Sequence, residues 1–585
     1  MRNSNGITLR YGYKFLIVGL VAIILSGVIS QTLLTQHIEG SRLYTARPKT
    51  DTSNQQTETS QLFDDTKEML ESQGNRITSH TISTDPNTCV QYDPASILIT
   101  VMCPEANLSH VDKVLKNPSI LKNEGDGVWL LNANLTIADG ANFSIDSNDA
   151  RWVKINSTTS DRAYHLEVLG NLRIDSVKIS SWNTTANNYT STDGEIHRAS
   201  IAILPEAKGK TDITNSEISY LGYHASLRQG LSYYGGDGST IKNNTIHHLW
   251  YGFYSKGRNN ITIENNLIYA NVKYGLDPHT GTRNMLIQNN KVYGNDGIGV
   301  VCSFDCTNIT MQGNEIYGNK LSGIMLSRNV KDSNVRNNTI YNEIRGIVVS
   351  ESHQDHIYNN TIKDTDIGIE TKFGSSKNIV RNNSIVNAGK YGIQVVKGSN
   401  DNIIMRNDVI KPVQYGICVH NNGTKNIVAE NVVTQSEKHG ICVYNNSTGN
   451  TIKSNFIDGA LGYGLYITDN DATNNTFEFN DVDKAKVGIA VRNNTDSIFT
   501  QNAIGVVEGS EYLVTDNSTL KLDNTTFTSD TIKSSDGTNN KVAIFNSGMI
   551  EINGEASNKT ELDTNQNPLN YVIPNDESIN VRTVK

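Results

Sequence analysis

The sequence predicts an all-β chain wound as a parallel β-helix with coils of about 24 residues. Two residue series and the composition predict it. A glycine followed by an apolar-x-apolar strand recurs at Gly252, Gly275, Gly299, Gly323, Gly346, Gly368, Gly392, Gly416, Gly440, Gly464 and Gly488, in steps of 22 to 24 residues. Between these glycines runs a second series: Asn266, Asn290, Asn314, Asn338, Asn360, Asn383, Asn407, Asn431, Asn455 and Asn480. The chain is low in charge and rich in Asn, Gly and Thr, with only 10 prolines in 585 residues. Strand-length alternation at this period, without a helical pattern, means a solenoid. Equivalent residues then stack about 4.8 Å apart, the spacing of hydrogen-bonded strands. Asparagine suits the turn because it tolerates left-handed backbone and its amide can bond the copies above and below.

The elements follow in chain order. Arg2, Arg10 and Lys14 precede an apolar run from Phe15 to Ile29, extended by Leu33 and Leu34. Residues 1–34 are therefore expected to be a signal-anchor or transmembrane segment that stays uncleaved, with a cleaved signal peptide as the alternative; on either reading the basic flank stays inside and the remainder is exported to the cell surface or beyond. Residues 35–85 read as a polar stalk or linker. Residues 86–213 read as an N-terminal cap with the first coils, and 214–500 as the regular β-helix carrying an active-site groove. Residues 501–585 lose the Gly/Asn register and read as a C-terminal β cap or small module, which would cover an exposed coil edge.

Net charge is −9, which argues against general nucleic-acid binding while leaving room for a local basic surface. Six cysteines fit an oxidising compartment. Cys89 and Cys103 can close a local loop. Cys418 and Cys442 hold the same place on adjacent coils, where a disulfide fits better than a metal. Cys302 points inward, and Cys306 is near enough to pair with it.

The strand after each glycine carries the chemistry. Its first and third places are mostly apolar and face the core, so period two sends the second and fourth outward. The second place holds Tyr254, Asp277, Val301 and Met325; the fourth holds Lys256, His279, Ser303 and Ser327. Asp277 and His279 thus share an exterior face, with Pro278 turned inward between them. Tyr274 stands at the corner before the strand, and Arg258, Arg283, Lys320 and Arg328 come from adjacent turns. A basic strip on an acidic protein suits a polyanion.

Tyr274-Gly-Leu-Asp-Pro-His279 resembles the Tyr-Gly-Phe-Asp-Pro-His motif of the mannuronan (alginate) C5-epimerases. The segments "SEISYLGYHASLRQGLSYYG" and "IHHLWYGFYSKGRNNITIENN" resemble the periplasmic branch of that family, and the resemblance extends over 86–500, most strongly 214–330. It implies a right-handed, single-stranded parallel β-helix and C5-epimerisation of an anionic polysaccharide. By the same resemblance His279 acts on the C5 proton, Tyr274 is its proton-transfer partner and Asp277 supports the site. Substrate contacts are expected from Lys256, Tyr254, Arg258, Ser303, Lys320 and Arg328, with the carboxylate-binding cation among Lys256, Lys320 and Arg328. Two positions depart from the pattern. The residue after the histidine is usually acidic and is Thr280 here. A further family aspartate falls near Ser303, with Asp305 two residues beyond.

These residue types suit the reaction. Removing the C5 proton of a uronate loads charge onto an existing carboxylate, so a cation must stabilise the enolate-like intermediate. A base on one sugar face takes the proton and an acid on the other returns one. An aspartate can orient the imidazole and tune it. No redox cofactor or metal is required, and calcium is left open. A polysaccharide lyase shares the first step and then expels the 4-linked sugar. A non-catalytic glycan-binding or structural β-helix is the alternative outside enzymes. A copper-delivery β-helix lacks the dense His/Met/Cys cluster it would need.

Overall fold

The computed structural model describes residues 82–583, apart from 160–162, 192–196, 506, 527–529, 546–549, 554 and 557–567. The expected anchor over 1–34 and nearly all of the 35–85 stalk lie outside the described residues. Among the described residues no helix is long and apolar enough to cross a membrane. One short helix, Leu108–Leu115, interrupts the β structure the sequence led us to expect; Asn107 caps it by accepting from the His110 amide.

Each coil contributes one strand to each of three parallel sheets. The strand after the glycine forms the first, here called the site sheet: β1 (Tyr251–Lys256), β2 (Leu276–His279), β3 (Ile298–Ser303), β4 (Ser322–Ser327), β5 (Arg345–Ser350), β6 (Ile367–Lys372) and β7 (Tyr391–Val396) pair in sequence. Three-residue strands such as Thr262–Glu264 and Leu267–Tyr269 build the other two. A central apolar residue from each strand, such as Ile263, Ile268 and Leu276, enters one continuous core with no exposure. The glycines are required where they stand: a Cβ on Gly275 would lie 2.5 Å from the Gly299 carbonyl oxygen and 2.6 Å from Val292 Cγ1.

The asparagine series is a hydrogen-bonded ladder through the core edge. Both the backbone N–H and the Nδ2 of Asn290 donate to Asn314 Oδ1, at 2.9 and 3.1 Å, and Nδ2 also reaches the Ile263 carbonyl at 2.9 Å. The left-handed backbone falls one residue earlier, at Asn265, Asn289 and Gly313, rather than on the ladder residues. The expectation that one asparagine supplies both features is thereby corrected: bending and amide stacking are shared between neighbours. Two further ladders run beside it, through Asn378, Asn402, Asn426 and Asn450, and through Asn271, Asn295, Asn319 and Glu343.

Disulfides join Cys89 to Cys103 and Cys418 to Cys442. Cys302 and Cys306 are both buried free thiols. Cys306 Sγ faces the carbonyls of Ser303 at 3.2 Å and Pro278 at 3.6 Å, and its thiol also hydrogen-bonds with that of Cys302.

Candidate functional site

Pro278 removes one ladder donor, and β2 pairs with β3 only through Leu276–Val300 and His279–Ser303. The nearby Cys306 thiol offers its S–H to the Pro278 carbonyl. The proline ring also fixes the backbone between Asp277 and His279. On the preceding coil Tyr254 pairs with Asp277 and Lys256 with His279.

The outer face is more enclosed than the alternation implied. Asp277 points away from the main core yet is only 2% exposed, because the rings of neighbouring coils close over it. Tyr234, Tyr251 and Tyr254 form a second apolar cluster on this face with Leu204 and Leu227, and Trp250 and Tyr274 pack against it. A continuous series of rings leads across the site: Tyr274 to Tyr251 at 5.3 Å, Tyr251 to Tyr254 at 5.7 Å, Tyr254 to His279 at 5.5 Å, and His279 to Phe304 at 4.9 Å. Arg328 lies over Phe304, 4.5 Å from its centroid.

Burial sets the protonation states. The His279 imidazole is pushed down to about 3, by desolvation first and then by the positive charges of Arg328 and Lys256. It is neutral, and so able to accept a proton, across the physiological range. Burial raises Asp277 well above the usual carboxylate range despite the opposing charge of Arg328, so Asp277 carries its proton, and its Oδ1 has no hydrogen-bond partner. Lys256 is lowered by burial. Tyr254 is pushed well above its ordinary value by burial first, and then by the neighbouring ionisable groups of Tyr234, Asp277 and Tyr251, which disfavour a phenolate there.

Several expected roles change here. His279 Nδ1 is hydrogen-bonded to Thr280 Oγ1, so its immediate partner is Thr280 and not Asp277. Two residues of extended strand separate Asp277 from His279 by about 7 Å, which explains why the aspartate does not reach the ring. Arg258 donates from Nε to the Lys256 carbonyl at 2.9 Å and pairs with Asp237 at 3.5 Å, so it braces the turn behind Lys256. Lys320 pairs with Asp296 on the surface at 3.1 Å. Ser303 holds the next rung beside His279 and is 8% exposed. Of the three candidate cations, Lys256 and Arg328 act electrostatically on His279.

Reasoning from the sequence missed Phe304, Tyr251 and Tyr234. Phe304 sits one place beyond the fourth column in left-handed backbone, φ 59°. A bulky residue there is unusual enough to be a signal once the bend is located. Tyr251 shares the corner position of Tyr274, directly before the glycine.

Residues 170–340 and 281–433 match a family model described as a right-handed beta helix region. A curated relative, the mannuronan C5-epimerase of Pseudomonas aeruginosa, is 27% identical over 175 residues, 28% of this chain and 31% of that protein. The chain is a right-handed parallel β-helix similar to the mannuronan C5-epimerases. The match spans about a third of the curated relative. Among solved structures, the periplasmic alginate epimerase AlgG is 19% identical, covering 67% of this chain and 85% of that one at a TM-score of 0.47. The A-module of an Azotobacter vinelandii mannuronan C-5 epimerase, AlgE6, is 14% identical, covering 60% and 90% at 0.33.

Residues 386–529 match a second model, described as a periplasmic copper-binding protein (NosD). Among the described residues, the His and Cys donors in that segment do not gather as a metal site. Cys418 and Cys442 are joined to each other, and His420 is stacked between Tyr391 and Tyr444 at 5.4 and 4.7 Å.

Proposed function

We propose that this β-helix is a C5-epimerase acting on uronate residues of an anionic, mannuronan-like polysaccharide. The observation that carries the reading is a neutral imidazole, His279, held between two aromatic rings with Lys256 and Arg328 both acting on it. The two cations meet the sugar carboxylate and stabilise the charge that develops when C5 loses its proton. In the tautomer whose Nδ1–H donates to Thr280 Oγ1, Nε2 holds the free lone pair and accepts that proton. Tyr274, at the corner just before the same strand, returns a proton to the opposite face of the ring. Asp277 is neutral and lines the site as a buried, uncharged carboxyl rather than as a counter-ion.

Thr280 keeps the hydrogen bond to the imidazole but adds no negative charge where the family usually has an acid. The low His279 pKa is consistent with that loss. An arriving substrate carboxylate would neutralise Lys256 and Arg328 and raise the imidazole towards its working range. The two disulfides and the apolar N-terminal run support an exported location.

Incubation of the chain with polymannuronate in deuterated water tests the reading. Proton NMR should show deuterium at C5 without chain cleavage, and His279→Ala should abolish it. Absorbance from unsaturated chain ends would instead identify a lyase, and exchange that persists in His279→Ala would remove that residue from its role.

A further inference from the structure

The surroundings of His279 have a partial copy further along the same outer face. Phe304 lies just beyond the fourth strand place, with Arg328 from the next coil over its ring at 4.5 Å. Phe373 holds the equivalent place after β6, again in left-handed backbone at φ 54°. Lys397 from the next coil lies over its ring at 4.3 Å, with Lys372 at 5.7 Å. Left-handed backbone costs a bulky residue about 1–2 kcal/mol, and Phe373 still leaves 39% of its surface in water. Neither backbone preference nor core packing accounts for a phenylalanine there.

The charges around the ring are unbalanced. Glu370 Oε2 faces Lys372 Nζ at 2.7 Å and Arg345 Nε at 3.0 Å, while Oε1 accepts from Gln394 Nε2 at 2.6 Å. His420 Nε2 holds Gln394 Oε1 at 3.0 Å, which fixes the amide with its donor towards Glu370. Arg345 Nε is buried and, despite its closeness to Glu370, makes no hydrogen bond. Glu351 stands one coil before Phe373 and Lys397 one coil after it. The patch therefore sets three cations against two carboxylates, on a chain whose net charge is −9. Lys372 is held below its ordinary range by burial, against the opposing attraction of Glu370, with repulsion from Arg345 and Lys397 adding to the lowering. One further carboxylate would balance the group.

We propose that Phe373, Lys372, Lys397 and Arg345 form a second site for a carboxylate-bearing sugar, whose ring stacks on Phe373 while its carboxylate meets Lys397 and Arg345. The proposal rests on the reading of an anionic polysaccharide substrate. Four coils separate His279 from Lys372 along one column, about 19 Å at the strand spacing. A single extended saccharide lying along the sheet can occupy both sites, so the second would favour long chains and hold them in register.

Binding of a short and a long oligomannuronate to the full-length chain separates the possibilities, measured by calorimetry on wild type, Phe373→Ala, Phe373→Trp and Lys397→Gln. Both altered side chains are exposed, so the fold should persist. The long oligomer should bind about tenfold more weakly to Phe373→Ala and Lys397→Gln, an effect worth about 1.4 kcal/mol, and Phe373→Trp should restore it. The short oligomer should bind all four proteins alike. Unchanged binding of the long oligomer to both weakened variants overturns the proposal, as does equal loss of the short one or no binding to wild type. Absence of C5 deuteration with this binding pattern intact would overturn the catalytic reading and leave the second site standing.

Discussion

Glu343 ends the buried ladder Asn271–Asn295–Asn319 at the corner that leads into the site sheet. Asn319 donates to its Oε1 from the backbone N–H at 3.2 Å and from Nδ2 at 2.8 Å, while Oε2 has no partner. The side chain is 5% exposed. Burial raises its pKa to about 8, against the opposing effect of the two Asn319 bonds. The folded state therefore holds a proton that the unfolded chain releases near pH 4.5. Stability contributed by the protonated carboxyl is fully present below about pH 4.5 and is lost as pH climbs towards 8. The difference corresponds to at most about 5 kcal/mol, and relaxation around the carboxylate should bring the realised loss to about 1–2 kcal/mol. Glu343→Gln keeps the acceptor that Asn319 needs and cannot ionise. Thermal midpoints measured from acid to mildly alkaline pH should fall between about pH 5 and pH 8 more steeply for wild type than for the variant, which keeps the buried acids Asp277 and Asp355. Equal slopes in the two proteins would show that Glu343 is not the buried acid inferred from its surroundings.

Other outcomes follow from the same geometry. With His279 pushed down to about 3, kcat/KM for epimerisation should not fall through the usual histidine range on going from about pH 7 to pH 5; a loss centred near 6.5 would contradict the burial argument. Thr280→Asp places a negative charge beside Nδ1 and relieves a β-branched residue at φ 40°; NMR titration should find the imidazole pKa raised. Gly297→Ala would bring a Cβ within 2.6 Å of the Lys273 carbonyl and 2.7 Å of Tyr274 Cδ1. It should cut kcat about tenfold or more by displacing the phenol, with little change in oligomer binding. Asn314→Ala strands the Ile287 carbonyl and the two Asn290 donors, and should cost about 3 kcal/mol or more in denaturant unfolding.

The sequence by itself determined the coil, its register and the face on which the chemistry lies. A repeat leaves its mark in every copy, so the glycine contacts, the Asn ladder and the alternation of β1 to β7 could all be read from spacing. Tyr254, Lys256, Asp277 and His279 were placed on one outer face for the same reason, and the pairing of Cys418 with Cys442 followed from their shared column. Only the tertiary structure decided how much water reaches that face. Strand alternation states a direction but not an exposure, and the rings that bury Asp277 come from residues as distant as Tyr234 and Tyr251. It also decided His279's partner, since Thr280 turns back in left-handed backbone while Asp277 stays a strand pitch away. Charge balance behaves likewise: whether Lys320 or Arg328 acts on His279 depends on which carboxylates sit nearby, and Asp296 claims Lys320. Periodicity fixes where a side chain starts, and packing among coils fixes what its far end meets.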